Sequence, residues 1–350
     1  MTAQQDQVKT DSTPDTSSFA SVIVMGAGLS GLMAARRLSA NGVDVLILEK
    51  SRGVGGRCAT RRIQDIPFDH GAQFFTVRDS FFQSIADDWI EKGDARVWTS
   101  GFPRSGHSKQ SDGHPRYCAN HGMNSLSKAL GQGLSIRTRT TVNAVERDRN
   151  GWVLRTEAGE VFRAKNVILS APLPQSLDLL HASTRNELLL DNPQLRRVEY
   201  ESCFAVLALL NGASVVPEPG AIQVDGPVIR WIADNTQKFM RSGRSSLTIH
   251  TNPEFARKHF DTPQDEIAET VLNAAREWLG SEVIEWQVQR WKFSKPVGFV
   301  GLPCVAWGNP TELVLCGDCM QPPSRMEGAI LSGLTAAETL LKDKKRLTLT

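Results

Sequence analysis

The sequence predicts an α/β fold with a second, mixed α+β domain. Three observations carry this. A strand–turn–helix–strand pattern occupies residues 22–48, a buried-type strand at Leu313–Cys316 runs on to a helical stretch at Glu327–Lys342, and the 195–302 region mixes strands with helices. The chain has 350 residues, and at roughly 100–200 residues per domain that is comfortable for two.

The first strand is the short apolar run Val22–Met25, the pattern of a buried parallel strand. The following helix carries Leu32, Ala35 and Leu38 on one face and stops at Asn41-Gly42. Val43–Leu48 is the second strand, ending at Glu49. Residues 79–98 read as a helix bearing Phe81, Phe82, Ile85, Trp89 and Ile90, and residues 99–116 as a loop rich in Gly, Ser, Pro and His. Met123–Leu134 reads as helical, and short strands are expected at Ser135–Arg139, Val142–Asp148, Trp152–Glu157 and Val167–Ser170. A helix is expected over 263–279, with Thr262 as its N-cap ahead of Pro263.

Hydrophobic residues make up 40% and charged residues 22%, enough apolar surface for a core without metal or disulfide staples. Forty Lys and Arg against 38 Asp and Glu give +2, spread without a dominant block, which argues against a nucleic-acid partner. No apolar run approaches the roughly 20 residues that span a bilayer, so no membrane span is expected. Residues 1–19 are polar, lack the apolar core of a secretory signal and read as a disordered tail. Six cysteines are scattered through the chain, as in a reducing compartment. A cytoplasmic protein is expected.

The chemistry concentrates first at Gly26-Ala-Gly28-Leu-Ser30-Gly31. Gly26 allows a tight turn, Gly28 lets a pyrophosphate approach the backbone, and Gly31 lets the helix pack closely on the strand. The helix start, with Ser30, presents free N–H groups and partial positive charge to phosphates. Glu49 lies 23 residues after Gly26 at the second strand's end, where a carboxylate accepts ribose hydroxyls. Strand, helix, strand and acid in register make this a Rossmann-type dinucleotide site. A basic, glycine-rich extension follows, Lys50-Ser-Arg52-Gly-Val-Gly55-Gly56-Arg57, which an NAD-only domain does not need.

This run resembles the ExxxxxGGR segment of the flavin-containing amine oxidase superfamily. So do the strand ending in Gly317-Asp318, the segment Met326-Glu327-Gly328-Ala329 opening the last helix, Val142 in its strand, and Ile168–Pro172. The resemblance implies a Rossmann-type FAD-binding domain of the p-hydroxybenzoate hydroxylase-like (GR2) kind. It implies that Asp318 bonds the ribityl chain and that the backbone of Val142 contacts adenine. The Glu327-Gly328-Ala329 helix start would then face the flavin's pyrimidine edge, which gains negative charge on reduction. Arg57 would contact the flavin phosphate, with His70, Gly71, Ala72 and Gln73 near the ring.

Arg57-Cys-Ala-Thr60-Arg61, then Phe68-Asp69-His70-Gly71-Ala72-Gln73-Phe74-Phe75-Thr76, is similar to the bacterial renalase pattern, as are Tyr117 with Gly122–Leu126, His250–Glu254, Arg290-Trp291 and Ser324–Gly333. Amine oxidases of the superfamily place a cage tyrosine two residues before the C-terminal Glu-Gly; here Arg325 stands there. Its permanent charge disfavours a protonated amine and suits phosphate, carboxylate or an electron-rich ring. Only Tyr117 and Tyr200 exist to build a cage. Cys304 does not match the superfamily's covalent-flavin cysteine, so non-covalent FAD is expected.

The resemblance therefore implies an FAD-dependent oxidase of 2- or 6-dihydro-NAD(P). Hydride would pass to flavin N5, giving NAD(P)+, and O2 would be reduced to H2O2. Loss of hydride from a dihydropyridine leaves an aromatic cation, so no base is needed, only stacking and orientation. Trp291 is the candidate nicotinamide wall, His250 and Gln73 the candidate carboxamide contacts, and Arg325 the candidate contact to phosphate, ribose or a flavin carbonyl. The alternatives are an amine oxidase or desaturase-like enzyme, and a flavin-bound protein with a sensing role. The FAD unit is expected over 20–78, 122–175 and 303–342, and the substrate unit over 79–121 and 176–302. Two further patterns are weak. Cys316 and Cys319 are formally C-x-x-C, and His107, His114, Cys118 and His121 do not match zinc spacing.

Overall fold

The computed structural model describes residues 18–106 and 112–347 and organises them around two large sheets. The first has eight strands. In spatial order its main path runs Val305–Trp307, Leu313–Leu315, Val161–Leu169, Ser18–Met25, Val45–Leu48 and Ser135–Arg137. The pairings from Leu313–Leu315 through Ser135–Arg137 are parallel. The edge strand Val305–Trp307 is antiparallel, and Val142–Asp148 with Gly151–Thr156 forms a hairpin on Val161–Leu169.

Apolar burial on both faces explains the short, continuous apolar strands. On one face the helix Leu29–Ser39 buries Leu32, Ala35 and Leu38 in one cluster with Ile330, Ala336 and Leu340 of the helix Met326–Leu347. These two helices touch at Gly333, where a Cβ would overlap the Ser30 carbonyl. The other face holds Ile23, Met25, Phe162, Leu169 and Leu315.

The second sheet is antiparallel and has five strands, in the order Ala221–Gln223, Ile229–Asp234, Ser246–Thr251, Glu199–Leu210 and Val283–Val297. Period-two alternation splits its central strand between faces. Phe204, Val206 and Ala208 pack on Ala256, Ile267 and Val271 of the helices Pro253–Lys258 and Gln264–Ala274. Ala205, Leu207 and Leu209 pack on Ile63 and Phe68 of the hairpin Thr60–Ile63/Ile66–Asp69. The second sheet thus lies against a hairpin that leaves the glycine-rich extension, which positions the candidate site.

Several boundaries differ from the sequence expectation. The first strand starts at Ser18, inside the expected tail, because Ser18–Ala20 pair with Phe162–Ala164; residues 1–17 lie outside the described residues. The helix over 79–98 is Ser80–Glu91, capped by Asp79 and followed by Gly93 at positive φ. Ala95–Thr99 is then a strand paired with Arg116–Ala119. The helix over 263–279 is two helices, Gln264–Ala274 and Arg276–Leu279, parted where Ala275 takes ψ near 1°. Pro263, not Thr262, is its N-cap residue. Phe82, Ala86 and Trp89 join the core of the first helix, although the sequence reading puts residues 79–121 with the substrate unit. Among the described residues no helix is long and apolar enough to cross a membrane.

Candidate active site

The glycine turn adopts the geometry its motif requires. Gly26 has φ +97°, and a Cβ on Gly31 would overlap the Gly26 carbonyl oxygen. Gly28 is different, since a Cβ there would meet nothing within 4 Å. Space is therefore open over the helix start, where free N–H groups suit a pyrophosphate. The basic extension lies against this turn, with Gly55 N–H bonding the Ala27 carbonyl at 2.8 Å. Glu49 is buried, and each of its carboxylate oxygens accepts one backbone N–H at 2.7 Å, from Ala27 and Ser51. The remaining lone pairs are available to ribose hydroxyls. Thr140 N–H bonds the Glu49 carbonyl at 2.9 Å, which brings the segment before Val142 to the same strand end. Lys50 is exposed.

Arg57 and Asp318, expected as separate contacts, meet each other. The guanidinium forks onto the carboxylate at 2.8 and 2.6 Å, and Ser324 Oγ donates to the same carboxylate at 2.8 Å. Burial works against the Arg57 charge, but Asp318 more than offsets it and holds the guanidinium firmly protonated. Arg57 also donates to the Ser294 carbonyl at 3.2 Å, tying the extension to the second sheet.

The segment Asp69–Gln73 is the most heavily bonded part of the site. Trp291 Nε1 donates to the His70 carbonyl at 2.9 Å, and His250 Nε2 reaches the same oxygen at 3.2 Å. The Trp291 ring stacks on the His70 ring, with centroids 5.3 Å apart and planes 18° apart. Gln73 Nε2 donates to the Asp69 and Gly71 carbonyls at 2.5 and 3.1 Å. Three of the four expected substrate contacts therefore clamp this loop's backbone. Burial pushes His70 down to about 3 and His250 to about 4, so both rings are neutral at physiological pH. His70 Nδ1 and Gln73 Oε1 are buried without a hydrogen-bond partner among the described residues. Two unsatisfied polar atoms on the segment expected near the flavin, with the open cradle at Gly28, fit a polar cofactor along this path.

Asp69 forms an ion pair that sequence reasoning missed. Lys238 Nζ lies 2.6 Å from Asp69 Oδ2, and both side chains are fully buried. Asp69 Oδ1 accepts from Thr60 Oγ1 at 2.6 Å and from Met123 N–H at 2.8 Å. Lys238 lies in the short helix Asn235–Lys238, so the pair joins the second sheet's connection to the hairpin of the first unit.

Arg325 lies elsewhere, in the wall of a pocket of about 340 Å3 formed with Ala72, Phe74, Thr76, Arg78, Arg116 and Met326, among others. Arg325 donates to Thr76 Oγ1 at 2.7 Å. Arg78 and Arg116 were not anticipated; neither carries a motif signal in the sequence. Glu327 is buried and accepts the backbone N–H groups of Arg78 and Asp79 at 2.6 and 2.9 Å. Ala329 N–H closes the first turn of its helix onto the Arg325 carbonyl. Neither tyrosine lines the pocket: Tyr117 stacks on Phe75, and Tyr200 lies against Arg57.

Cys316 and Cys319 are free and buried, and burial pushes both thiols up, the reverse of the exposed, acidified thiolate that a redox pair needs. His107 lies outside the described residues, and among those described no group of His, Cys, Asp and Glu could hold a metal.

Comparison with known proteins agrees with this geometry. A family model for flavin containing amine oxidoreductase matches residues 90–341, and one for an NAD(P)-binding Rossmann-like domain matches residues 24–87. The chain is 23% identical over 338 residues to a renalase from Mus musculus, covering 91% of this chain and 98% of the relative. A 53-residue stretch, 15% of this chain and 12% of the relative, is 47% identical to a putative flavin-containing monoamine oxidase from Mycobacterium tuberculosis. Among solved structures, a putrescine oxidase double mutant superposes with a TM-score of 0.70 at 14% identity, covering 93% of this chain and 99% of that one. Cyclohexylamine oxidase from Brevibacterium oxydans gives the same TM-score, identity and coverage. The family model matched over residues 90–341 makes this chain a member of the flavin-containing amine oxidoreductase family, an FAD-dependent oxidoreductase.

Proposed function

We propose that the chain is an oxidase of 2- or 6-dihydro-NAD(P) isomers, returning them to NAD(P)+ at the expense of O2. The observation that carries this reading is the pocket wall. Arg78 and Arg325 present guanidinium groups over an apolar floor of Ala72, Phe74 and Met326, while the one carboxylate of the wall, Asp112, is engaged by Arg116. Permanent cations repel an alkylammonium and suit a phosphorylated, electron-rich ring. The full-length similarity to a renalase supports the same reading.

Bound non-covalently, FAD would supply the hydride acceptor, with O2 as the terminal oxidant that is reduced to H2O2. The chain's own part is to bind and orient. The glycine turn and Glu49 are assigned to the pyrophosphate and ribose; Gly28, Ser30, Gly31, Gly56, Arg57 and Val142 border that path, with Lys50 exposed at its edge. Gly317, Asp318, Glu327, Gly328 and Ala329 are assigned to its far end, where the Arg57–Asp318 fork sets the position of both groups. His70, Gly71, Ala72 and Gln73 are assigned to the flavin's edge, with Trp291 and His250 holding that loop as positioning residues. Burial makes both histidines weak bases, so neither is suited to take a proton from the substrate, in keeping with a substrate that loses only hydride. The eight-stranded sheet would then form the FAD unit, together with the helix Ser80–Glu91 packed on its core, and the five-stranded sheet the substrate unit.

The test is anaerobic flavin bleaching by dihydro-NAD isomers from borohydride reduction of NAD+, beside ordinary 4-dihydro NADH. Rapid bleaching by the 2- or 6-isomers alone is expected. Bleaching by simple amines but by no dihydronicotinamide would overturn the proposal and favour an amine oxidase.

A further inference from the structure

The arginine-walled pocket is not part of the path assigned to FAD. None of residues 26–31 or 49–57 lines it, and it meets the flavin motifs only at Ala72 and Ser324–Met326. Its charges are unequally satisfied. Arg116 is spent, because its guanidinium forks onto Asp112 and donates to the Ser100 and His114 carbonyls at 3.0 and 2.6 Å. Arg325 has only the neutral Thr76 hydroxyl. The Arg78 guanidinium has no hydrogen bond or ion pair among the described residues, although its backbone N–H is held by Glu327. The acidic groups nearby are already engaged, Asp112 by Arg116, Glu327 by two backbone N–H groups and Asp79 by the helix start it caps. Two guanidinium groups thus face one recess with no carboxylate bonded to either, because the one acid of the lining, Asp112, is held by Arg116.

These groups feel one another. Burial and then the Arg78 charge both push the Arg325 guanidinium towards losing its proton, with Arg116 adding to them and Glu327 and Asp112 working against them. Such repulsion is relieved by an anion, and guanidinium forks match phosphate oxygens in pairs. The apolar floor of Ala72, Phe74 and Met326 beside them would carry the uncharged part of the same ligand.

We propose that Arg78 and Arg325 form a pyrophosphate subsite, which makes the intact dinucleotide, and not its nicotinamide nucleoside, the substrate. This rests on the dihydronicotinamide reading above. It adds that specificity is set by the phosphates at a distance from the reacting ring, so that binding energy there lowers KM and leaves the hydride step unchanged.

The experiment uses FAD-saturated enzyme. Isothermal titration with ADP-ribose, which carries the pyrophosphate and no hydride, is compared with adenosine, for wild type, Arg78→Gln and Arg78→Gln/Arg325→Gln. ADP-ribose is expected to bind wild type, adenosine is not, and the double variant is expected to bind ADP-ribose at least about tenfold more weakly. In steady-state assays the double variant should raise KM for 6-dihydro-NAD by a similar factor, with kcat within twofold. KM for the phosphate-free dihydronicotinamide riboside should not move. Equal ADP-ribose affinity in all three proteins, or equal kcat/KM for riboside and dinucleotide, overturns the subsite. If the double variant loses its flavin spectrum, Arg78→Gln alone, at an exposed side chain, is read by the same criteria with at least about a threefold loss expected. Arginine-dependent ADP-ribose binding without bleaching by any dihydronicotinamide would sink the proposed substrate while leaving the anion subsite standing.

Discussion

Replacing Lys238 by methionine strands a carboxylate in the interior. Removing one partner of a buried ion pair destabilises by roughly 3–5 kcal/mol, because the other charge is left uncompensated. The low end applies here, since Asp69 Oδ1 keeps Thr60 Oγ1 and Met123 N–H and only Oδ2 loses its partner. A methionine also fills the lysine's path past Trp98 and Phe239, whose ring centroids lie 5.1 and 5.4 Å from Nζ, so little cavity cost is added. The expected loss is about 3 kcal/mol, read by urea unfolding of FAD-saturated protein followed by circular dichroism. The Asp69→Asn/Lys238→Met double variant removes both charges and should recover at least half of that loss. A single variant within about 0.5 kcal/mol of wild type, or a double variant no more stable than the single, would refute the assignment of this pair as a coupled, desolvated unit.

Three other outcomes are expected. Gly31→Ala places a methyl group on the Gly26 carbonyl and within 2.6 Å of Ser170 Oγ, so the purified protein should be colourless and melt several degrees lower; wild-type flavin content would sink the close-packing reading. His70 and His250 are held neutral by burial, at about 3 and about 4, well below the unfolded value. Their contribution is therefore intact above about pH 6.5 and drains away as the pH falls towards those values, by up to about 1.4 kcal/mol per pH unit for each ring. His250→Gln should flatten the stability profile between pH 6 and 4.5 by about one ring's share; an unchanged slope would mean that the ring is not desolvated. Finally, Cys304 is the half-buried thiol and the other five are buried, so Ellman's reagent should find at most one fast thiol in the native protein and six after denaturation; four would mean that Cys316 and Cys319 are joined.

Much of the cofactor half was legible because its signals are local. Gly26, Gly28, Gly31 and Glu49 sit within one strand–helix–strand unit, and backbone geometry alone dictates their residue types. Asp318 and Arg57 were each singled out from the sequence, but their pairing was not legible: they lie 261 positions apart and meet only through tertiary structure. Lys238 was invisible for the same reason. It sits among polar residues in Asn235–Lys238, and its burial arises only when Asp69, 169 positions earlier, comes to meet it. Trp291 was singled out as a nicotinamide wall and His250 as a carboxamide contact, yet both reach the His70 carbonyl. The expected tail lost Ser18 and Phe19 to a strand because pairing with Val161–Leu169, not local hydrophobicity, sets where the first strand starts. Arg78 and Arg116 carried no pattern; only a shared cavity connects them with Arg325.

The strand order of the eight-stranded sheet has a consequence for how the chain is made. Val161–Leu169 pairs Ser18–Met25 on one side, but on its other side Val167–Leu169 pair Leu313–Leu315, which begin 144 positions after Leu169. At roughly 5–20 residues per second, the roughly 144 residues from Leu169 to Leu313 take about 7–29 s to synthesise. For that interval the nascent sheet has an open, apolar edge at Val167–Leu169, and synthesis halted before Leu313 leaves that edge unpaired.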